Sequence, residues 1–406
     1  MTRISVRRNP DQPKFAEHEC VVNRLCNQVG SLTQSSAMLA SWTLTIPDLL
    51  GKVLFARHLY IDTRSMGALL TRLEELGAHP VKVLGEVIEV PRPKDLAQAL
   101  QYLYFRFKQD SLDQVQTDLA ATKRVWDDPT RWVLERLGTD LRAQKEEASL
   151  LASRLGLVVG PGLADSLPER GPAVPALPAR SEHFVIVDKR PVLQSLASAA
   201  DRMAQRLQQF LMHVEVPSIE MSARNVLDNE GLPWDFIIDM ARQCWDEGRH
   251  CQAVLDAIAS CGDVLERYPI DHTLWRMTRN QPLKMRLMLT QRIGEWVGVD
   301  ALLDLADKYD SDGIRGVSEM LRFMALDETG HVRQGNKWLR TLVGDEELLE
   351  LQQQADALRR QFGEPTTDKR TFPFHRWACE LSGFTDEETR QLAAASPKEA
   401  ADCRGK

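Results

Sequence analysis

No apolar run in this sequence approaches the roughly 18 residues that a membrane-spanning helix needs. The first dozen residues, Met1 to Gln12, are basic and polar where a secretory leader would be apolar. There is no Cys-x-x-Cys pair, and seven cysteines make an odd count for a disulfide framework. That usage fits a reducing cytoplasm. Positive charge is not in surplus: 51 Lys and Arg stand against 58 Asp and Glu, a formal charge of −7. A mildly acidic chain is poorly suited to non-specific contact with nucleic acid or an anionic membrane. What is present is ordinary globular material. The chain has 406 residues, of which 43% are hydrophobic. That length exceeds one hydrophobic core, so two domains are expected.

Apolar residues recur at three- and four-residue spacing through Ile46–Leu76, Leu96–Leu119 and Trp132–Leu155, which predicts helices. The Val/Ile-rich stretch Val81–Val90 reads as a strand or extended crossover, ended by Pro91 and Pro93. Five prolines between Gly160 and Arg180 exclude a helix there and predict an exposed, semi-rigid linker. Helical periodicity then returns in four segments, Val192–Leu227, Pro233–Gly262, Met285–Tyr309 and Gly313–Val343. Turn chemistry separates them at Asn229–Pro233, Tyr268-Pro269 and Asp310–Gly313. The longer break, from Gly262 to Pro282, suits a crossover between two helix pairs, so the four segments predict a four-helix bundle. A helical tail follows, with a capping box at Thr385–Glu388 before the last helix. The Lys/Glu-rich run Lys145–Glu147 reads as a solvated face.

Two of these segments share one pattern. Asp246-Glu247-x-x-His250 lies in the second and Asp327-Glu328-x-x-His331 in the fourth. Glu and His at i and i+3 point from one helical face, about 4.5 Å apart along the axis, and can serve one metal. A dinuclear bundle site needs a further Glu from each of the other two helices. Antiparallel neighbours place residues at equal height when they are equally distant from the turn. Glu247 lies 16 residues after Gly231 and Glu215 lies 16 before it. Glu328 and Glu295 lie 16.5 residues either side of the midpoint between Ser311 and Asp312. The expected ligand set is therefore Glu215, Glu247, His250, Glu295, Glu328 and His331. Four carboxylates and two imidazoles suit two iron ions, with manganese and iron together as the alternative. Without cations, four converging buried carboxylates are strongly unfavourable. Glu220 sits about 7.5 Å from the required height, so it ranks behind Glu215 as the ligand from that helix; it and His213 are expected around the site, with a variant ligand set that includes them as the alternative. Asp246 and Asp327 are expected to orient the ligand imidazoles from behind.

The stretches His213-Val-Glu215, Ser218-Ile-Glu220, Asp246–His250, Gly294-Glu295, Gly298-Val-Asp300, Asp327–His331, Gly335-Asn336 and Phe374–Phe384 carry a resemblance. Across residues 179–384 the chain resembles the ferritin-like proteins grouped as the domain-of-unknown-function 455 family, relatives of tRNA-modifying di-iron hydroxylases. The resemblance implies an all-α fold, with a ferritin-like four-helix bundle around a non-haem di-iron centre. It also makes residues 1–157 look like a second, degenerate ferritin-like domain. There Asp62 takes the place of Glu247, Ser65 of His250, Lys108 of Glu295, Leu141 of Glu328 and Gln144 of His331, so no metal is expected. Residues 158–188 would be the Pro-rich linker and 189–406 the di-iron domain with a C-terminal extension. The expected function is an O2-activating oxygenase or oxidase acting on a small molecule, with electrons from an external donor or from the substrate itself, as a monomer or homodimer. The alternatives are a tRNA-modifying hydroxylase and a non-enzymatic ferritin-like iron-binding or scaffold protein.

Overall fold

A computed structural model describes residues 6–8, 15–80, 89–163, 168–191, 196, 198–368 and 372–396. The chain divides into two compact units, one of residues 1–182 and 219–249, the other of 183–218 and 250–406. Among the described residues, no helix is long and apolar enough to cross a membrane.

In the first unit, β1 (Val6–Arg8) precedes the long helices α1 (Ala16–Thr45) and α2 (Leu49–Glu75), and β2 (Ala78–Pro80) pairs antiparallel with β1. Asp48 caps α2 by accepting from the Gly51 amide at 2.7 Å. β3 (Glu89–Arg92) follows. Residues 81–88 of the expected extended stretch lie outside the described residues, and Pro91, expected to end it, lies inside β3. The next helix is interrupted: α3 (Leu96–Leu100) passes through a π-helical segment, Gln101–Phe107, into α4 (Lys108–Ala121). α5 (Asp128–Arg154) completes the set. α1 packs on α2, α2 on α5, α5 on α4 and α4 on α1, a closed ring of contacts. Leu25, Val29, Met66, Leu69, Val115 and Leu137 meet inside it. The proline-rich stretch is less exposed than its composition suggests. β4 (Glu169–Pro172) pairs antiparallel with β3. Ala173 accepts from Ser41 Oγ at 2.7 Å, and the Ala179 amide donates to Leu44 at 2.8 Å. Proline removes donors but leaves carbonyls, so such a chain can still be tied down by its acceptors.

The remaining helices are α6 (Ala199–Phe210), a π-helical segment Leu211–Glu215 and α7 (Val216–Leu227), then α8 (Trp234–Ser260). The short α9 (Thr273–Thr278) lies in the crossover. α10 (Leu283–Leu287), a π-helical segment Met288–Gly294 and α11 (Glu295–Ser311) form one interrupted helix, and α12 (Arg315–Leu342) follows. α13 (Asp345–Gln361), α14 (Arg376–Leu381) and α15 (Asp386–Ala394) form the tail. The first of these helices starts at Ala199; residues 192–195, where its periodicity began, lie outside the described residues. The division between units falls inside α7 and α8, both continuous. Gly231 and Gly313 turn the chain between helices with φ of 76° and 78°, a conformation that costs a Cβ-bearing residue about 1–2 kcal/mol. α11 packs on α12, and Trp296, Val299, Val332 and Phe374 share a core with α14. The capping box forms as expected, with Thr385 and Glu388 each accepting from the other's amide.

Candidate metal centre

Two of the expected ligands follow directly from irregular helix. Glu215 is the last residue of one π-helical segment and Glu295 the first residue after another. A π turn widens the backbone and leaves a carbonyl without its usual helical donor. In the second segment the Leu289 carbonyl accepts from Arg359 at 2.7 Å, and Arg359 is itself buried. Gly294 allows the close approach, because a Cβ there would stand 3.2 Å from that same oxygen.

All six residues are buried and fall into two overlapping groups. Glu215, Glu247, His250 and Glu328 form one, and Glu247, Glu295, Glu328 and His331 the other. Within each group one ligand atom per residue lies within 4.8 Å of all the others. Glu247 and Glu328, the two glutamates of the repeated motif, belong to both. His250 Nδ1 faces inward, 3.0 Å from Glu215 Oε2 and 3.3 Å from Glu328 Oε1. His331 Nδ1 lies 2.7 Å from Glu328 Oε2.

The outer groups separate into distinct roles. His250 Nε2 lies 3.2 Å from Asp327 Oδ2. A carboxylate only accepts, and His250 meets one at each ring nitrogen, so an ion bound at Nδ1 would leave the ring proton on Nε2, facing Asp327. The Asp of one motif thus orients the His of the other. Asp246 accepts from Arg242 Nε and from Arg249. Glu220 belongs to neither group: Lys52 lies 3.0 Å from it, and Arg180 forms a two-pronged pair with it. Its burial alone would raise its pKa, but these two cations hold it below the ordinary glutamate value. His213 turns to Asp271 Oδ2, at 2.8 Å from Nδ1. Sequence reasoning missed Asp271, which sits in the crossover with no motif around it. It also missed Gln243, which donates to Glu247 Oε1 at 3.2 Å from one turn earlier on α8. That i, i+4 spacing was the available signal.

The first unit has a different kind of centre. Lys108 Nζ donates to both Asp62 oxygens, at 2.8 and 2.6 Å, and to Gln144 Oε1. Gln144 Nε2 donates to Asp62 Oδ1 at 2.8 Å, and Ser35 Oγ donates to Asp62. All four are buried. Burial lowers the Lys108 pKa, opposed by the Asp62 charge. Ser65 and Leu141 stand outside this network: Ser65 donates to Asp140, and Leu141 lies in the apolar core. Nearby, Glu147 turns inward from the run expected to be solvated and pairs with buried His58 at 3.0 Å.

These features define a mainly helical protein with a buried carboxylate–imidazole cluster able to hold metal. Residues 140–390, more than half of the chain, match the family described as Protein of unknown function (DUF455), and the chain belongs to that family. No curated protein and no solved structure matches it.

Proposed function

We propose that the protein is a non-haem di-iron oxygenase or oxidase that activates O2 against a small molecule. The observation that carries this reading is the sharing of Glu247 and Glu328 between two four-residue groups. Two groups with a common pair of carboxylates are what two adjacent cations with bridging ligands require. The donor set fits: four carboxylates balance the charge of two ferrous ions, and oxygen with imidazole donors suits iron. Glu215 and His250 would hold one ion, Glu295 and His331 the other, with Glu247 and Glu328 spanning them. A di-iron pair bound there supplies reductive activation of O2. The chain's own residues prepare that chemistry. Asp327 would orient His250 from its Nε2 side, Gln243 steadies Glu247, and burial of the cluster keeps bulk water away. Electrons would come from an external donor or the substrate, since no Cys-x-x-Cys redox motif is present.

The ferritin-like bundle and a decayed first copy belong to the same reading. In support, the π-helical segment Gln101–Phe107 leads into Lys108 as Met288–Gly294 leads into Glu295. A lysine ammonium then stands among Asp62 and Gln144 as an internal cation.

The test is iron content after anaerobic Fe(II) loading, followed by stopped-flow absorption on mixing with O2. About two irons per chain and a transient visible band are expected. Glu328→Ala, which takes a ligand from both groups, should lose both irons and the band. Glu215→Ala, which takes one from a single group, should retain about one iron. Stoichiometric iron with no O2-dependent band would leave an iron-binding protein without oxygen chemistry. Zero iron, or iron unaffected by either substitution, would refute the dinuclear centre.

A further inference from the structure

An arginine–aromatic cluster lies where α2 meets the part of α8 that belongs to the first unit. A Cβ at Gly67 would meet Trp234 and Ile238, and one at Gly248 would meet Val53 and Ala56, so the two helices run side by side and antiparallel. Arg57, Tyr60 and Arg64 follow i, i+3, i+7 spacing on α2, and Arg242, Trp245 and Arg249 repeat that spacing on α8. Tyr60 stacks on Trp245, with ring centroids 5.3 Å apart and planes 20° from parallel. Arg242 lies over both rings, at 5.6 and 5.0 Å from their centroids, and Arg249 lies over Trp245 at 5.8 Å. The side chains of the two helices thus form one face.

This face is open and positive. Arg64 is exposed, and Arg57, Arg242 and Arg249 are 46%, 40% and 34% exposed. Two carboxylates pair with these arginines: Glu147 meets Arg57 at 3.0 Å, and Asp246 accepts from Arg242 at 2.9 Å and from Arg249. Four guanidiniums therefore outnumber their two carboxylate partners, on a chain whose formal charge is −7. A guanidinium has five donors, so a pairing on one side leaves others for a further acceptor. Arginine, tryptophan and tyrosine are also the residues that dominate the energetic centres of protein interfaces. A nucleobase would need an open ring to stack on, and much of the ring surface here is already covered by the other ring and by guanidiniums. The face therefore fits an acidic protein better than a nucleic acid.

Its place on α8 gives such a partner a task. Trp245 and Asp246 directly precede Glu247, and Arg249 directly precedes His250. The face is the outer side of the helical stretch that carries two of the candidate ligands, so one helix width, about 10–12 Å, separates it from the cluster. We infer that this face docks a small acidic protein that carries electrons singly, the external donor of the proposed function. The inference rests on the di-iron reading for the electron's destination and on the face itself for the partner. Each encounter would oxidise the carrier by one electron and reduce one ferric ion to ferrous. Two encounters would restore the ferrous pair, with no bond made or broken.

The probe is a plant-type 2Fe–2S ferredoxin, an acidic one-electron carrier, with single-stranded uridylate RNA as the rival polyanion. Binding to the full chain without iron is measured by calorimetry at about 0.02 M and about 0.5 M NaCl, which brackets strong and weak screening. Ferredoxin should bind at low salt and about tenfold more weakly at high salt. Arg64→Glu, on an exposed position, should weaken low-salt binding about tenfold, while Arg64→Lys keeps the charge and most of the affinity. On iron-loaded, oxidised protein, Arg64→Glu should slow the oxidation of reduced ferredoxin about tenfold at low salt and leave the iron content unchanged. Ferredoxin that fails to bind, or binds equally well at both salt concentrations or to Arg64→Glu, would overturn the docking surface. RNA that binds more tightly than ferredoxin, and is lost in Arg64→Glu, would overturn it in favour of a nucleic-acid face. Expected binding with electron transfer unchanged in Arg64→Glu would refute the donor role. Expected binding to a chain that takes up no iron would leave the acidic-protein surface standing and remove the di-iron reading.

Discussion

Glu220 and Glu215 are five residues apart on one interrupted helix, and the side chains around them give them opposite tasks. Glu215 joins the buried acid cluster. Glu220 neutralises Lys52 and Arg180, both almost fully buried. Replacing Glu220 with the isosteric Gln should therefore leave two buried cations uncompensated and cost about 3 kcal/mol at neutral pH. The sign of the pH dependence follows from the lowered pKa. The carboxylate contributes its stability above the ordinary glutamate value, and that contribution is lost as pH falls through its lower folded value. The stability gap between wild type and Glu220→Gln should accordingly be full at pH 6–7 and close as pH drops below about 4. Urea denaturation at a series of pH values reads this directly. A gap that stays constant into acid would show that Glu220 acts through packing, not charge.

At the level of helices, the positions of the six candidate residues were legible because of where the irregularities fall. Counting equal distances from a turn assumes uniform rise. The stretches counted, Val216–Leu227, Trp234–Glu247, Glu295–Ser311 and Arg315–Glu328, are all regular α-helix. In the second unit one π-helical segment ends at Glu215 itself and the other ends just before Glu295, so neither lengthens the stretch between a turn and its glutamate. The π segments themselves left no periodic signal, because seven residues or fewer cannot establish a different period against α-helical flanks. The tie between the proline-rich stretch and α1 was hidden for another reason. It runs through backbone carbonyls, which every residue has. The tail was legible only as separate helices, yet it supports the site. Glu388 completes the cap of α15 and also pairs with Arg292, at 2.6 Å, inside the second π segment, and with Arg340 of α12, at 2.7 Å. Arg292 is buried and bonded to Asn336 as well. Glu388→Gln should cost about 2 kcal/mol, less than a fully buried pair because Glu388 keeps some contact with water and Gln can still accept. Thr385→Ala, which removes only the cap, should cost about 1 kcal/mol. Thermal denaturation of the two variants separates the contributions, and equal losses would mean that Glu388 matters only as a cap.

Across the molecule, the same chain solves one electrostatic problem in two ways. Four buried carboxylates in the candidate centre call for external cations. In the cluster around Lys108 one buried carboxylate, Asp62, meets a cation the chain itself supplies, with Gln144 and Ser35 filling the remaining bonds. A buried pair of this kind is costly to break and not always costly to replace. Lys108→Ala leaves the buried Asp62 carboxyl without its cation and should destabilise the protein by about 3–5 kcal/mol. Lys108→Met combined with Asp62→Leu removes both charges while preserving volume. It should recover at least half of that loss, with Ser35 and Gln144 left short of partners accounting for the remainder at roughly 1–3 kcal/mol. Iron content should be the same in the double variant as in wild type, because none of these side chains belongs to either metal-competent group. Denaturant unfolding and iron analysis on one set of samples decide the matter. A double variant as unstable as Lys108→Ala would show that the network specifies the core rather than neutralising a charge. A double variant that keeps its stability but loses iron would show that the Asp62–Lys108 network contributes to metal binding, against the reading of residues 1–157 as a metal-free copy.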